Sequence, residues 1–338
     1  MENQPRIQWY HSPLDKETLR KLTIRSDLRA FAQILSQLML AAICGTGAYF
    51  AFQKLPLWLG ILVFYIYATV LSFLGYGAAG HELSHRTAFR TQFWNEFFII
   101  IISFLSWKNF IHYRASHMRH HQYTVHKGLD LEVVLPLKIS GLDWLFLFTF
   151  NGGRFVNEFT TLVRHCFGIV KGEQEEQIFP VTDKKGRRQL FMWARIFILG
   201  HLALAALFIV TGQWTLLLLA TFATYFANWL NLLVGFPQHA GLQPDVDDFR
   251  LSCRTVKLNP VFSYLYWQMN YHLEHHMYAG VPFYNLKDLR KAIETDLPPA
   301  APNLASAWKE ILSTLREQKS NPAYFHVPAL PDRNVQVK

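Results

Sequence analysis

The residues that could do chemistry in this chain are histidines set at helical intervals. His272, His275 and His276 stand at i, i+3 and i+4 in Tyr271-His272-Leu273-Glu274-His275-His276, a spacing that puts three imidazoles on one face of a helix. Upstream, Ser116-His117-Met118-Arg119-His120-His121 repeats it, and Gly80-His81-Glu82-Leu83-Ser84-His85 supplies an i, i+4 pair. Imidazole is the commonest side-chain metal ligand, and the eight histidines of these three boxes can fill the coordination of two metal ions. The three cysteines, Cys44, Cys166 and Cys253, are scattered and make neither a disulfide framework nor a CxxC site. The predicted ligand set is therefore all-histidine.

The first box alone allows a different chemistry. His81-Glu82-Leu83-Ser84-His85 fits H-E-x-x-H, in which two histidines hold zinc and the glutamate is the general base of a protease. A zinc hydrolase needs one further ligand and an open water position, whereas six more histidines stand in two further clusters here. That surplus favours a dimetal site over a membrane protease. Glu82 and Glu274 are then candidates to orient ligand imidazoles through the far ring nitrogen, with exposed helix charge as the other reading of each.

These boxes need elements to hold them, and the composition says what those elements are. Hydrophobic residues make up 51% of the 338, charged residues only 17%, and the formal net charge is +9. Long uncharged runs alternate with basic stretches, which favours anionic lipid over nucleic acid as the partner. Four runs are long enough to cross a bilayer of about 30 Å: about 30–52, 55–80, 191–211 and 214–236. Short links at Lys54 and at Thr211-Gly212-Gln213 fold them into two hairpins. Phe97 to Trp107 is too short to span and reads as an interfacial helix, as does Gly141 to Phe150. Amphipathic helices are predicted over Asn285 to Asp296 and Ser306 to Gln318.

The expected fold is an all-α membrane protein of four transmembrane helices, with a cytoplasmic helical cap holding a histidine-rich dimetal site. Its expected divisions are a cytoplasmic or interfacial leader over 1–29, a membrane domain over 30–295, and a C-terminal helix and tail over 296–338. The leader carries six basic residues and a capping pattern at Ser12-Pro13-Leu14-Asp15; it reads as a short amphipathic helix on the membrane surface or as a solvated tail, and not as a cleaved signal. The two hairpin turns carry only Lys54, so the positive-inside rule puts both termini and all three boxes in the cytoplasm.

HELSH, HMRHH and HLEHH, each following hydrophobic runs, resemble the three histidine boxes of the integral-membrane fatty acid desaturase/hydroxylase family. The stretch Met277 to Leu286 and the segment Gln238-His239-Ala240-Gly241 are similar to that family as well, over roughly residues 60–295. The resemblance implies a non-haem di-iron centre that uses dioxygen to remove hydrogen from an unactivated C–H bond. Its ligands are implied to be His81, His85, His117, His120, His121, His239, His272, His275 and His276. Stearoyl-type members place an asparagine one helical turn before the fourth-segment histidine to hold a metal-bound water. Here Gly235 occupies that position, and Asn231 one turn further back is a weak substitute. Trp107, Asn109, Tyr113 and Trp229 are candidates for a substrate tunnel, with packing as their alternative. His11, His112, His126, His165, His201 and His326 lie outside the boxes and read as structural, although His112 and His126 flank the second box.

The implied activity is desaturation of a fatty acyl chain. Hydroxylation of an acyl chain, alkane or carotenoid-like lipid begins with the same hydrogen abstraction and is the alternative. A metal transporter or sensor would carry ionisable residues inside its spans, and the four runs hold only His201 and, near the start of the third, Arg195, which can snorkel to the headgroups. No haem attachment motif, four-cysteine cluster or GxGxxG fingerprint is present, so electrons are expected from a separate ferredoxin or small cytochrome. The expected location is an integral, multi-pass position in a membrane, the inner one if the source is bacterial.

Overall fold

The computed structural model describes residues 5–137 and 140–331. Among them every regular element is helical, and extended pairing is confined to isolated bridges such as Tyr10 with Asp248. The described residues form two compact units, one of residues 27–115 and 140–233 and one of residues 5–26, 116–137 and 234–331. Each is built from segments distant in sequence. The described residues of the leader up to Ser26 and those after 296 belong to the same unit as the second and third boxes.

In the first of these units, three helices are long and apolar enough to cross a membrane: Asp27–Lys54, Leu57–Ser84 and Lys184–Val210. Asp27 opens the first of them and accepts from the Thr91 N–H at 3.0 Å and from its hydroxyl at 2.7 Å. Lys54 closes it, so both charges complement the helix dipole. The first two helices pack closely because small residues face large ones. A Cβ on Gly60 would lie 2.7 Å from the Phe52 ring, and one on Gly45 would lie 2.9 Å from that of Tyr67. Buried Ala48, Phe64, Tyr67, Ala68 and Leu71 extend this seam onto Leu219, Ala223 and Ala227.

The fourth expected span, 214–236, is not one helix. A turn of α-helix at Trp214–Leu217 passes into a π-turn at Leu218–Phe222 and a 3-10 turn at Ala223–Tyr225. The chain then breaks at Ala227, whose φ is 51°, before Trp229–Gly235. Irregular turns free carbonyls, and a buried carbonyl without a donor is costly. Side chains take them up: the Tyr67 hydroxyl donates to Leu219 O at 3.2 Å, the Trp107 indole to Thr221 O at 2.8 Å, Arg154 to Thr224 O at 3.1 Å and the Ser72 hydroxyl to Ala227 O at 3.2 Å. Single-sequence apolarity marks the run as membrane-like, but it does not show that long-range donors allow the helix to break.

The apolar piece expected to be too short to span lies in the helix Gln92–Ser106, which ends at Trp107 in the left-handed region. Trp107 stacks on His201 with centroids 3.7 Å apart, and His201 Nε2 donates to Phe104 O at 3.0 Å. His201 is thus a packed core residue, as expected.

In the other unit the described part of the leader, residues 5–26, packs against later segments of the chain. Its short helix, Lys16–Leu22, is capped by Asp15 accepting from the Thr18 N–H at 2.9 Å. Before it, the backbone pairs Tyr10 with Asp248. The Tyr10 ring lies 3.9 Å over the Arg250 guanidinium, which is itself 1% exposed and forked between Asp248 and Asp296. Ser12 donates its hydroxyl to Asp296 at 2.6 Å and accepts at its carbonyl from Tyr278 at 2.6 Å. A buried arginine is tolerable only when its donors are used, and the leader supplies part of that closure. The predicted amphipathic helices appear as Leu286–Ile293 and Leu304–Glu317. The second buries Ala307 and Ile311 and lays Trp308 flat against Phe236, 5.3 Å between centroids.

Candidate metal centre

The second box lies on the last two turns of the helix Phe110–Tyr123, and the third box is the whole of the helix His272–Met277. His239 ends the 3-10 turn Phe236–Gln238, where Pro237 fixes the backbone and stops further helix. The fold brings these three pieces together. One ligand nitrogen from each of His120, His239, His272 and His276 lies within 4.8 Å of the others, and all four residues are buried. His117, His121 and His275 make a second group within the same unit, with His117 Nε2 and His121 Nε2 3.2 Å apart and the His121 and His275 rings 4.8 Å between centroids.

What surrounds these rings decides which nitrogen points inward. His239 Nδ1 donates to the carbonyl of Ser252 at 2.8 Å. A carbonyl only accepts, so the proton is on Nδ1 and Nε2 carries the lone pair. The Thr124 hydroxyl donates to His120 O at 2.8 Å, and therefore accepts from His276 Nδ1 at 3.0 Å. His120 Nδ1 donates to Asp130 Oδ2 at 2.7 Å, and His117 Nδ1 faces both oxygens of Glu132 at 3.2 Å. Each of these four rings thus turns an Nε2 lone pair into the site. His239 Nε2 and His272 Nε2 stand 2.9 Å apart. The donor set fits a metal held by imidazole, and it has the outer hydrogen-bond partners such sites use.

For two cage rings the protonation states agree, whereas on His120 burial opposes charge but the bond and charge of Asp130 raise the ring above its ordinary value, so that ligation there releases a proton. Burial pushes His239 down to about 3, with the nearby His120 adding to the effect, and burial followed by the neighbouring imidazoles carries His276 well below its ordinary value. Both are neutral and free to ligate. Burial likewise opposes charge on Asp130, but the bonds from His120 and from the N–H groups of Glu132 and Val125 hold its carboxyl below the usual range.

His81 and His85 lie in the other unit, their rings 5.2 Å apart, on the last turn of Leu57–Ser84. A π-turn at Gly75–Ala79 precedes them and resets their facing. His81 Nδ1 is 3.3 Å from the fully buried Glu82 carboxylate, consistent with an orienting role for Glu82. Glu274 has neither of the roles considered for it. Two residues on from His272, it leaves the back of its helix and receives the Thr255 hydroxyl and Arg290 at 2.5 Å each. It anchors the helix and turns no ligand ring.

Asn231 donates to Ser72 O at 3.0 Å and packs where a Cβ on Gly77 would lie 2.0 Å from its Oδ1; it braces the second spanning helix. Asn109 donates to Leu190 O at 2.9 Å, Tyr113 is buried against Tyr76, and Trp229 donates to Thr69 at 3.3 Å. With Trp107, all four tunnel candidates are engaged in packing. His126 stands edge-on to Trp9, and His112 packs near His165 and Phe179.

Sequence reasoning missed Asp130, Glu132, Thr124 and the Ser252 carbonyl. Asp130 and Glu132 are acids just beyond the second box in a basic stretch, which is a faint signal; the other two leave none. A further mark is backbone strain. Arg86, Val125 and Gln268 flank the three boxes at φ of 59°, 51° and 54°. Such conformations persist only where surrounding structure enforces them, and they collect at functional sites.

Residues 56–308 match the family model described as fatty acid desaturase. The chain is also 26% identical over 249 residues to dihydrorhizobitoxine desaturase of Bradyrhizobium elkanii, an alignment covering 69% of this chain and 67% of that protein.

Proposed function

This chain belongs to the fatty acid desaturase family, and from that premise we propose that it removes two hydrogens from adjacent carbons of a fatty acyl chain at a histidine-bound di-iron centre. The observation that carries the proposal is the buried cage of His120, His239, His272 and His276, in which Asp130, Ser252 and Thr124 outside the cage take up the Nδ1 of His120, His239 and His276 and turn their Nε2 inward. The ligand set is the nine histidines at 81, 85, 117, 120, 121, 239, 272, 275 and 276. Two bound irons would supply the redox capacity to reduce dioxygen while an unactivated C–C bond is oxidised. The protein's own part is to keep the imidazoles neutral, hold their outer protons on Asp130, Glu132, Thr124 and Ser252, and shut out bulk water.

Family membership and the three apolar helices mark a membrane protein. The broken segment 214–235 completes four crossings in this reading, with both termini and the centre on the cytoplasmic side. A cavity of about 480 Å³ lined by Leu38, Ala41, Ala42, Gly45, Leu71 and Leu219 has no charged wall and suits an apolar chain. Electrons come from a separate ferredoxin or small cytochrome. The name of the relative supports desaturation over hydroxylation. A zinc protease is disfavoured, because the four-imidazole cage contains neither histidine of the H-E-x-x-H box.

Metal analysis of the detergent-purified protein tests this reading. Near two irons per chain is expected, falling in both His120→Ala and His272→Ala, with new double bonds in the lipids of an expressing host. One zinc that survives loss of both histidines would overturn it.

A further inference from the structure

The cage residues are 2% to 4% exposed, so no partner protein touches an imidazole of this group directly. Electrons have to pass through packed atoms, and one line of rings runs outward from the cage. The His276 ring lies 5.6 Å from that of Phe249, a residue 2% exposed. Phe249 is stacked nearly parallel, at 10°, on the indole of Trp9, with centroids 4.1 Å apart. Trp9 is half-buried, and its neighbour Gln8 is exposed. The indole N–H also donates at 3.0 Å to the carbonyl of Gln122, the residue after His121.

The stack is built deliberately. Backbone pairing of Tyr10 with Asp248 sets the leader against the segment that carries Phe249, and the Tyr10 N–H donates to Asp247 O at 2.8 Å. His126 closes the edge of the indole at 5.3 Å. Nothing in the helical packing of the boxes requires an aromatic residue from the far end of the chain at this point.

We infer that Trp9 and Phe249 form the route by which single electrons reach the metal centre from a one-electron carrier protein of iron–sulfur or haem type. The inference rests on the functional reading above. Electron transfer weakens steeply with distance and across gaps, so continuous van der Waals contact through conjugated rings favours this line over less packed ones. Each passage moves one electron and neither makes nor breaks a bond in either ring. Two electrons from the carrier and two protons from solvent, with two hydrogens from the substrate, take dioxygen to two waters.

The test uses the full-length, iron-loaded protein with Cys44 and Cys166 replaced by Ala and a ruthenium photoreductant attached at Gln8→Cys. Flash excitation injects an electron beside Trp9, and bleaching of the oxidised centre gives its arrival rate, with no need for the native carrier. Trp9→Leu is expected to slow arrival on the order of tenfold or more, since it replaces a packed conjugated ring with a smaller group and a gap. Trp9→Phe keeps an aromatic ring and stays near the parent rate. Trp9→Met fills the space without a π-system and slows like Trp9→Leu; it is the variant to read if Trp9→Leu loses iron. An unchanged rate in a fully loaded Trp9→Met protein overturns the route alone. Loss of iron from both variants makes Trp9 a brace of the centre and overturns it too. Absence of iron from the parent overturns the functional reading and this inference together.

Discussion

Asp130 shows how much of this centre depends on single hydrogen bonds. Its carboxylate is 1% exposed and receives His120 Nδ1, the Val125 N–H, the Glu132 N–H and the Val133 N–H. Those donors keep it charged, and the charge fixes the tautomer and raises the basicity of a ligand ring. Asp130→Asn keeps the shape and removes the charge, so metal affinity should fall about 10- to 100-fold with little loss of helix content. Competition against a chelator measures it, and an unchanged affinity would reduce Asp130 to a loop anchor. At this scale the sequence is only half legible. Histidines on one helix face follow from spacing, because three residues on one helix share a frame. Asp130 and Ser252 become partners only once a loop and a distant turn are folded back, and no local pattern encodes that.

At the scale of elements, the chain uses irregular helix where a straight one would be simpler. The π-turn at Gly75–Ala79 sits just before His81, and another occupies Leu218–Phe222. The second of these stretches releases carbonyls, and the side chains that donate to them are buried tyrosine, tryptophan and serine and a half-buried arginine. Tyr67 is the clearest case, a phenol in a spanning helix whose hydroxyl serves Leu219 O. Tyr67→Phe should cost about 1–3 kcal/mol by leaving that carbonyl without its donor, read as a lower unfolding midpoint in detergent with metal content retained. Gly77→Ala should cost more, since its Cβ would meet Asn231 Oδ1 at 2.0 Å. Loss of metal in Tyr67→Phe would mean that the broken segment is coupled to the centre and is not only a local repair. Hydropathy ranks these segments as apolar, but it carries no information about which carbonyls lose their helical partner.

Taken as a whole, the molecule alternates between its two units along the chain. The described leader lies up to Ser26 in the unit that holds the second and third boxes, the first two apolar helices belong to the other, and the second box returns to the first. On the topology proposed above, four crossings with both ends cytoplasmic put the turns near Lys54 and Gly212 on the far side of the membrane from Arg188 and Lys287. Single cysteines at these positions, in a background free of others, are expected to separate cleanly with a membrane-impermeant maleimide applied to intact cells. Positions 54 and 212 should label and positions 188 and 287 should not. Labelling of 54 without 212 would mean that the broken segment does not cross.

The sequence by itself determined the histidine boxes, the helical class and three of the apolar helices, because each depends on spacing or composition within a short window. Only the tertiary structure decided which partners orient the rings, that Glu274 braces its helix, and that the leader packs against the third-box region. These outcomes rest on contacts between residues tens to hundreds of positions apart. Their energies depend on burial and on donors that local sequence cannot supply.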